Sequence, residues 1–264
     1  MRNYLVHITL ILCFGFSACG KPSTSENTSQ SPANVVRPRV ESTDTGVKND
    51  IAKFAAEGKG KVGTGALNIE TGEYFSLDGD GHYPLQSVYK LPISLAVVSA
   101  FERDHRDLDE KVEVVKADMV RLGQYSPIRD KYPNGTTLPV RELIRYAVEE
   151  SDGTASDVLL RVLGGPEKVQ IYLGTLGITD MKVVNSEKEL GANWQTQYAS
   201  WSTPAAAVDL LQALYEGKAL SLETDHQMIL QMMTNSTPGK DRIRGMLGAP
   251  PSPTRPVHPA PRMA

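Results

Sequence analysis

Two strands stand at the front of this chain with no third strand in reach, and that shortage constrains the fold more than any other feature. Residues 61–69 and 74–77 alternate as strands around Glu70-Thr-Gly-Glu73, a hairpin turn signal. A two-stranded sheet is marginal alone, so other parts of the chain must complete and cover it. Residues 46–58 read as an amphipathic helix, with Val47, Ile51, Phe54 and Ala55 at helical spacing. From Ser87 an apolar helix runs to about Phe101, and the pattern then stays helical to Gly177, broken at Tyr132-Pro-Asn-Gly135 and Gly164-Gly165-Pro166. Residues 185–201 carry no period and no cap, so they read as a long loop. Thr203 then caps a helix with Pro204 in its first position, and a last helix covers about residues 225–234.

The chain ends open outward from this domain. Residues 1–18 read as a secretory leader: Arg2, then an apolar run from Tyr4 to Phe16 that is short for a membrane span. The run closes on Phe16-Ser-Ala-Cys19-Gly20, which resembles a lipobox, so Cys19 is the candidate lipidated residue; plain cleavage near Ala18 is the other reading. Cys13 leaves with the leader, so no disulfide is expected. Residues 19–44 are rich in Ser, Thr, Pro, Asn and Gln and cannot bury enough apolar surface to order themselves, which makes them a tether or a terminus without further role. Residues 45–247 are the folded domain. A lipid at Cys19 implies an exported, periplasmic protein held at a membrane.

Composition excludes several partners. A net charge of −3 gives no pull toward nucleic acid. The five histidines lie far apart without metal-ligand spacing, and no cofactor is implied.

Ser87-Val-Tyr-Lys90 sets a hydroxyl and an amine one turn apart at a helix mouth. Ser87 can be an N-cap. It can equally be a nucleophile in the positive end of the helix dipole, with Lys90 on the same face to hold or take its proton. Ser151-Asp-Gly153 follows, then Glu187-Lys-Glu-Leu190 in the long loop. Three such elements in order, with Tyr125-Ser-Pro127, Leu163-Gly-Gly-Pro-Glu-Lys168 and Asp241-Arg-Ile-Arg-Gly-Met246, resemble the class A serine β-lactamases. The likeness runs from about Val47 to Leu247.

That resemblance implies roles. Ser87 is the nucleophile that opens the lactam, and Lys90 its partner and a candidate base. Ser151 relays a proton to the leaving nitrogen. Glu187 activates water for deacylation, with Glu189 as a competing carboxylate. Tyr125 and Gly153 line the substrate cleft. Gly153 and Gly191 replace asparagines usual in the family, Asp157 stands where asparagine is usual, and Asn185 and Ser200 replace an Arg–Asp clamp. With Gln197-Tyr198 and Trp201, these departures resemble the PER-like branch. Ser151-Asp152 can also be read as a helix cap. The implied fold is α/β, of the β-lactamase/D,D-peptidase type: an α/β sandwich lobe from both chain ends plus an all-helical lobe, acting as a monomer on β-lactams.

That family carries Lys-Thr-Gly on a later strand, and this chain has none. Residues 248–264 are instead Pro-rich. Codons begun on the third base of the present ones permit His, Lys, Thr and Gly across residues 253–257. The tail is therefore read as frame-shifted, the last strands and helix as missing, and this copy as impaired; a natural Pro-rich tail is the alternative. The rival functions are a penicillin-binding D,D-peptidase and a non-catalytic lipoprotein that binds β-lactams or peptidoglycan.

Overall fold

The computed structural model describes residues 9–14 and 39–239. The lipobox cysteine, most of the tether and the Pro-rich tail lie outside the described residues. In chain order the elements are β1 (Thr9–Phe14), β2 (Val40–Glu41), α1 (Thr45–Glu57), β3 (Gly63–Asn68), β4 (Glu73–Leu77), β5 (Tyr83–Pro84), α2 (Lys90–Arg103) and β6 (Lys111–Val114). There follow α3 (Pro127–Lys131), β7 (Thr136–Pro139), α4 (Val140–Glu149), α5 (Gly153–Leu163), α6 (Pro166–Thr175) and β8 (Met181–Lys182). Last come α7 (Glu187–Leu190), β9 (Trp201–Ser202), α8 (Pro204–Tyr215) and α9 (Glu223–Asn235).

The expected hairpin forms: β3 and β4 pair antiparallel with Ala66 opposite Phe75, and Asn68 accepts from the turn amides of Glu70 and Thr71. It is flanked on both sides. β2 pairs with β4, and β1 runs parallel to β3 with Thr9 opposite Gly63. The apolar run read as a leader thus supplies, within the whole chain, a neighbour for an edge that would otherwise show unpaired amides. On the sheet lies α8, opened as expected by Thr203, whose side chain accepts from the Ala206 amide, and by Pro204. Close approach needs Gly65, because a Cβ there would meet Val208 at 3.0 Å and the Pro204 carbonyl at 3.1 Å. Leu67, Tyr74 and Val208 form the small core between sheet and helix.

The larger core belongs to the helices. The sequence of α2 is apolar all round, and a helix of that kind must be surrounded. Ile93, Leu95, Val97 and Val98 are fully buried, against Leu143 and Ile144 of α4 and Val158 and Leu159 of α5. This central helix carries Lys90 at its first turn, which is why its amine is buried.

Two expectations are corrected. The stretch after Phe101 is not continuously helical: β6 and β7 pair antiparallel, with Val112 opposite Leu138. Their residues alternate over only four positions each, too few to override a helical reading. Nor is the long loop without a cap. Ser186 accepts from the Glu189 amide while the Glu189 carboxylate accepts from the Ser186 amide, a capping box that opens α7.

Candidate active site

Ser87 owes its position to the residues before it. The Leu85 amide donates to Ser200 O at 3.0 Å, tying the chain to the end of the long loop. Gln86 then takes a left-handed φ of 45°, which is uncommon for a residue with a Cβ and turns the chain sharply. Its side chain donates to Gln197. A single 3₁₀ turn, Gln86–Tyr89, follows and leads into α2. In that turn no side chain caps the helix, so the Ser87 hydroxyl is not spent as an N-cap. It is exposed and accepts from Lys90 Nζ at 3.1 Å.

Lys90 is 3% exposed. A buried ammonium needs counter-charge, and it finds one in Glu187, donating to Oε2 at 3.0 Å. The chain Ser87 Oγ, Lys90 Nζ, Glu187 Oε2 therefore joins three of the residues picked from the sequence. A second donor, the Tyr89 hydroxyl, meets the same Oε2. Oε1 has no hydrogen-bond partner among the described residues, and Glu187 lines a cavity of about 320 Å³ shared with Ser87, Tyr125, Gln124, Gly191 and Trp194.

The backbone of Glu187 is held from α5. Asp157 accepts from the Glu187 amide at 2.6 Å and from the Lys188 amide at 3.1 Å. Burial pushes the Asp157 carboxyl up to about 6, against the pull of those two amides. Asparagine, usual here, offers one acceptor oxygen in place of two. The ends of the loop meet where the Arg–Asp clamp is absent: Ser200 Oγ accepts from the amides of Val184 and Asn185 at 3.0 and 3.3 Å, and lies 3.5 Å from the Asn185 side-chain oxygen. Of the two loop glutamates, Glu189 caps α7 and Glu187 reaches Lys90.

Gly153 opens α5, and its amide donates to Tyr125 O at 3.0 Å. The Glu187 side chain passes directly over it: a Cβ on Gly153 would lie 2.6 Å from Glu187 Cγ. Gly191 is similar, with the Gln124 amide group 2.6 Å from where its Cβ would be. Gln124 donates to Glu187 O and accepts from the Arg121 amide, so the site holds a polar side chain that no spacing in the sequence pointed to. The two glycines thus stand where other side chains have moved in. Tyr125 is 60% exposed on the cavity wall. Asp152 caps α5 through the Ala155 amide and is buried with Ser126 and the Ile128 amide, so the capping half of the Ser151-Asp152 reading holds. Burial raises its carboxyl above the usual range. Among the described candidates, Ser151 is not joined to the others by a hydrogen bond. Its φ is 58°, and its hydroxyl has no hydrogen bond among the described residues.

A profile of the beta-lactamase enzyme family matches residues 46–253. The chain belongs to that family. Among its β-lactamase relatives, VEB-1 of Pseudomonas aeruginosa is 34% identical over 188 residues, covering 71% of this chain and 62% of the relative. The extended-spectrum β-lactamase PER-1 of Pseudomonas aeruginosa is 28% identical over 204 residues, covering 77% and 66%. The crystal structure of a β-lactamase from Chitinophaga pinensis DSM 2588 superposes with a TM-score of 0.74 at 35% identity, covering 76% of this chain and 74% of that one. The chain spans roughly two thirds of the length of the curated β-lactamases it matches, 62% for VEB-1 and 66% for PER-1. The PER-like reading of the departures agrees with that similarity, and the β-lactamase fold with the superposition.

Proposed function

We propose that this chain is a class A β-lactamase that hydrolyses β-lactams through an acyl-enzyme on Ser87, a resistance function. One observation carries the reading: Ser87 Oγ, Lys90 Nζ and Glu187 Oε2 form an unbroken hydrogen-bonded chain at 3.1 and 3.0 Å, with Ser87 and Glu187 on the wall of a cavity. Lys90 first passes a proton to Glu187 Oε2, 3.0 Å away, and the resulting amine then takes the hydroxyl proton as Oγ attacks the lactam carbonyl. The proton on Glu187 returns to Lys90 once Lys90 has given one to the departing nitrogen. The amide C–N bond breaks, and the nitrogen leaves with a proton, for which Ser151 is the relay on the strength of its motif alone. Water then attacks the ester while Glu187 takes its proton through Oε1. As the acyl C–O bond breaks, Lys90 gives a proton to Ser87 Oγ and recovers one from Glu187, releasing the acid, the Ser87 hydroxyl and the Glu187 carboxylate. Export to the periplasm and a lipid on Cys19 belong to the same proposal, as does the impairment of this copy read from residues 248–264.

Nitrocefin separates this reading from its rivals. Continuous turnover is expected of a version continued in the alternative frame, with no product from its Ser87→Ala and a single stoichiometric burst from its Glu187→Ala. A burst without turnover in that version is the D,D-peptidase outcome, and absence of any adduct on Ser87 is that of a binding lipoprotein. The same version is expected to exceed the chain as written in turnover; equal rates and equal melting would discard the impairment.

A further inference from the structure

A buried phenol one residue before Lys90 has no part in the mechanism above. Tyr89 is 0% exposed, with its ring in the helical core. If filling space were its whole role, phenylalanine would serve and would avoid burying a hydroxyl, which is costly without a partner. The hydroxyl has two partners. It donates to Glu187 Oε2, and Ser156 Oγ lies 3.2 Å away. Ser156 in turn is 2.9 Å from Gly153 O, so the phenol is tied to the first turn of α5.

We propose that Tyr89 is a positioning residue for deacylation: its hydroxyl holds Glu187 Oε2 so that Oε1 alone is presented to water. The inference rests on the Ser87 acyl-enzyme reading. Lys90 also donates to Oε2, but the same ammonium donates to Ser87 Oγ, whose bonding changes when the serine becomes an ester. Tyr89 makes no hydrogen bond to Ser87 Oγ among the described residues, so its bond to Glu187 does not run through the group that Ser87 carries. The acyl-enzyme is the state in which Glu187 has to act. Burial, followed by the nearby Glu187 charge, keeps the phenol well above its ordinary range, so it stays a donor throughout the working pH.

Tyr89→Phe tests this, in the full chain and in the version continued in the alternative frame, with Glu187→Ala beside it in each. Loss of one hydrogen bond to a charged group predicts a roughly ten- to hundredfold fall in kcat. KM falls with it, kcat/KM and the acylation burst rate stay at the unaltered values, and intact-mass spectra show a Ser87 adduct that accumulates. A purely structural role predicts a smaller burst with unchanged kcat per active site, and that result overturns the proposal. Wild-type kcat without accumulated adduct also overturns it. Stalling in Glu187→Ala with normal turnover in Tyr89→Phe removes only the role of Tyr89, whereas normal turnover in Glu187→Ala removes the underlying reading as well. A melting-temperature cycle reads the contact without turnover: Tyr89→Phe is expected to lower Tm in the unaltered chain and not in the Glu187→Ala background. Equal shifts in both backgrounds overturn the contact.

Discussion

Replacing Gly153 with alanine probes the space beneath Glu187 and separates chemistry from folding. The new Cβ would lie 2.6 Å from Glu187 Cγ and 3.2 Å from Cδ. Carbon atoms settle at roughly 3.5–4.0 Å, so the methyl is about 1 Å too close. It has no retreat on its other side, where the Tyr125 carbonyl stands 3.2 Å from the same position and accepts from the Gly153 amide. Glu187 must therefore yield, and a shift of about 1 Å breaks its 3.0 Å contact with Lys90. A misplacement of that size can cost roughly a hundredfold in rate. The crowding and the lost counter-charge on Lys90 are expected to lower Tm, so turnover is read well below the melting transition, where the fold is intact. Stopped-flow nitrocefin traces should keep the acylation burst and show steady-state turnover down roughly a hundredfold. Gly153→Asn, which restores the family's usual residue, should fare no better. Unaltered steady-state turnover in Gly153→Ala would refute the argument that this glycine makes room for the carboxylate.

Two further outcomes are expected. Asp157 titrates at about 6 when folded against 3.8 as its reference, so the folded state binds an extra proton between those values and stability falls as pH rises from about 4 to about 6, by up to about 3 kcal/mol, then levels off. Asp157→Asn should flatten that slope in denaturant titrations, and an unchanged slope would point to another group. Cys19→Ser is expected to move the protein from the membrane to the soluble fraction or to leave the leader uncleaved; equal membrane association would end the lipobox reading.

Local chemistry was legible in the sequence and long-range chemistry was not. The meeting of Ser87 with Lys90 follows from three-residue spacing at a helix mouth, and the start of α8 from Thr203-Pro204. The α7 cap was legible too, since Ser186-Glu-Lys-Glu189 spells a capping box, and reading it would have separated Glu189 from Glu187 at once. Tyr89 and Glu187 are 98 residues apart, and Gln124 and Glu187 are 63 apart. No periodicity encodes such contacts; they exist because α2, α5 and the loop pack around one point. The family resemblance brought Glu187 into the site, but it marked Gly153 and Gly191 only as losses, because an alignment shows the amide that is gone and not the side chain that has taken its volume.

The ends of the long loop are tied by Ser200 and Asn185, neither of which carries a charge. A clamp of opposite charges at such a neck weakens as salt screens it, over a Debye length of about 10 Å at 0.1 M. Two neutral dipoles do not respond in this way, and the charged contact farther in, between Lys90 and Glu187, is sheltered by burial. Ionic strength therefore has little purchase on the neck of the loop. A salt dependence of kcat/KM for a charged β-lactam would then be read without a contribution from a loosening neck.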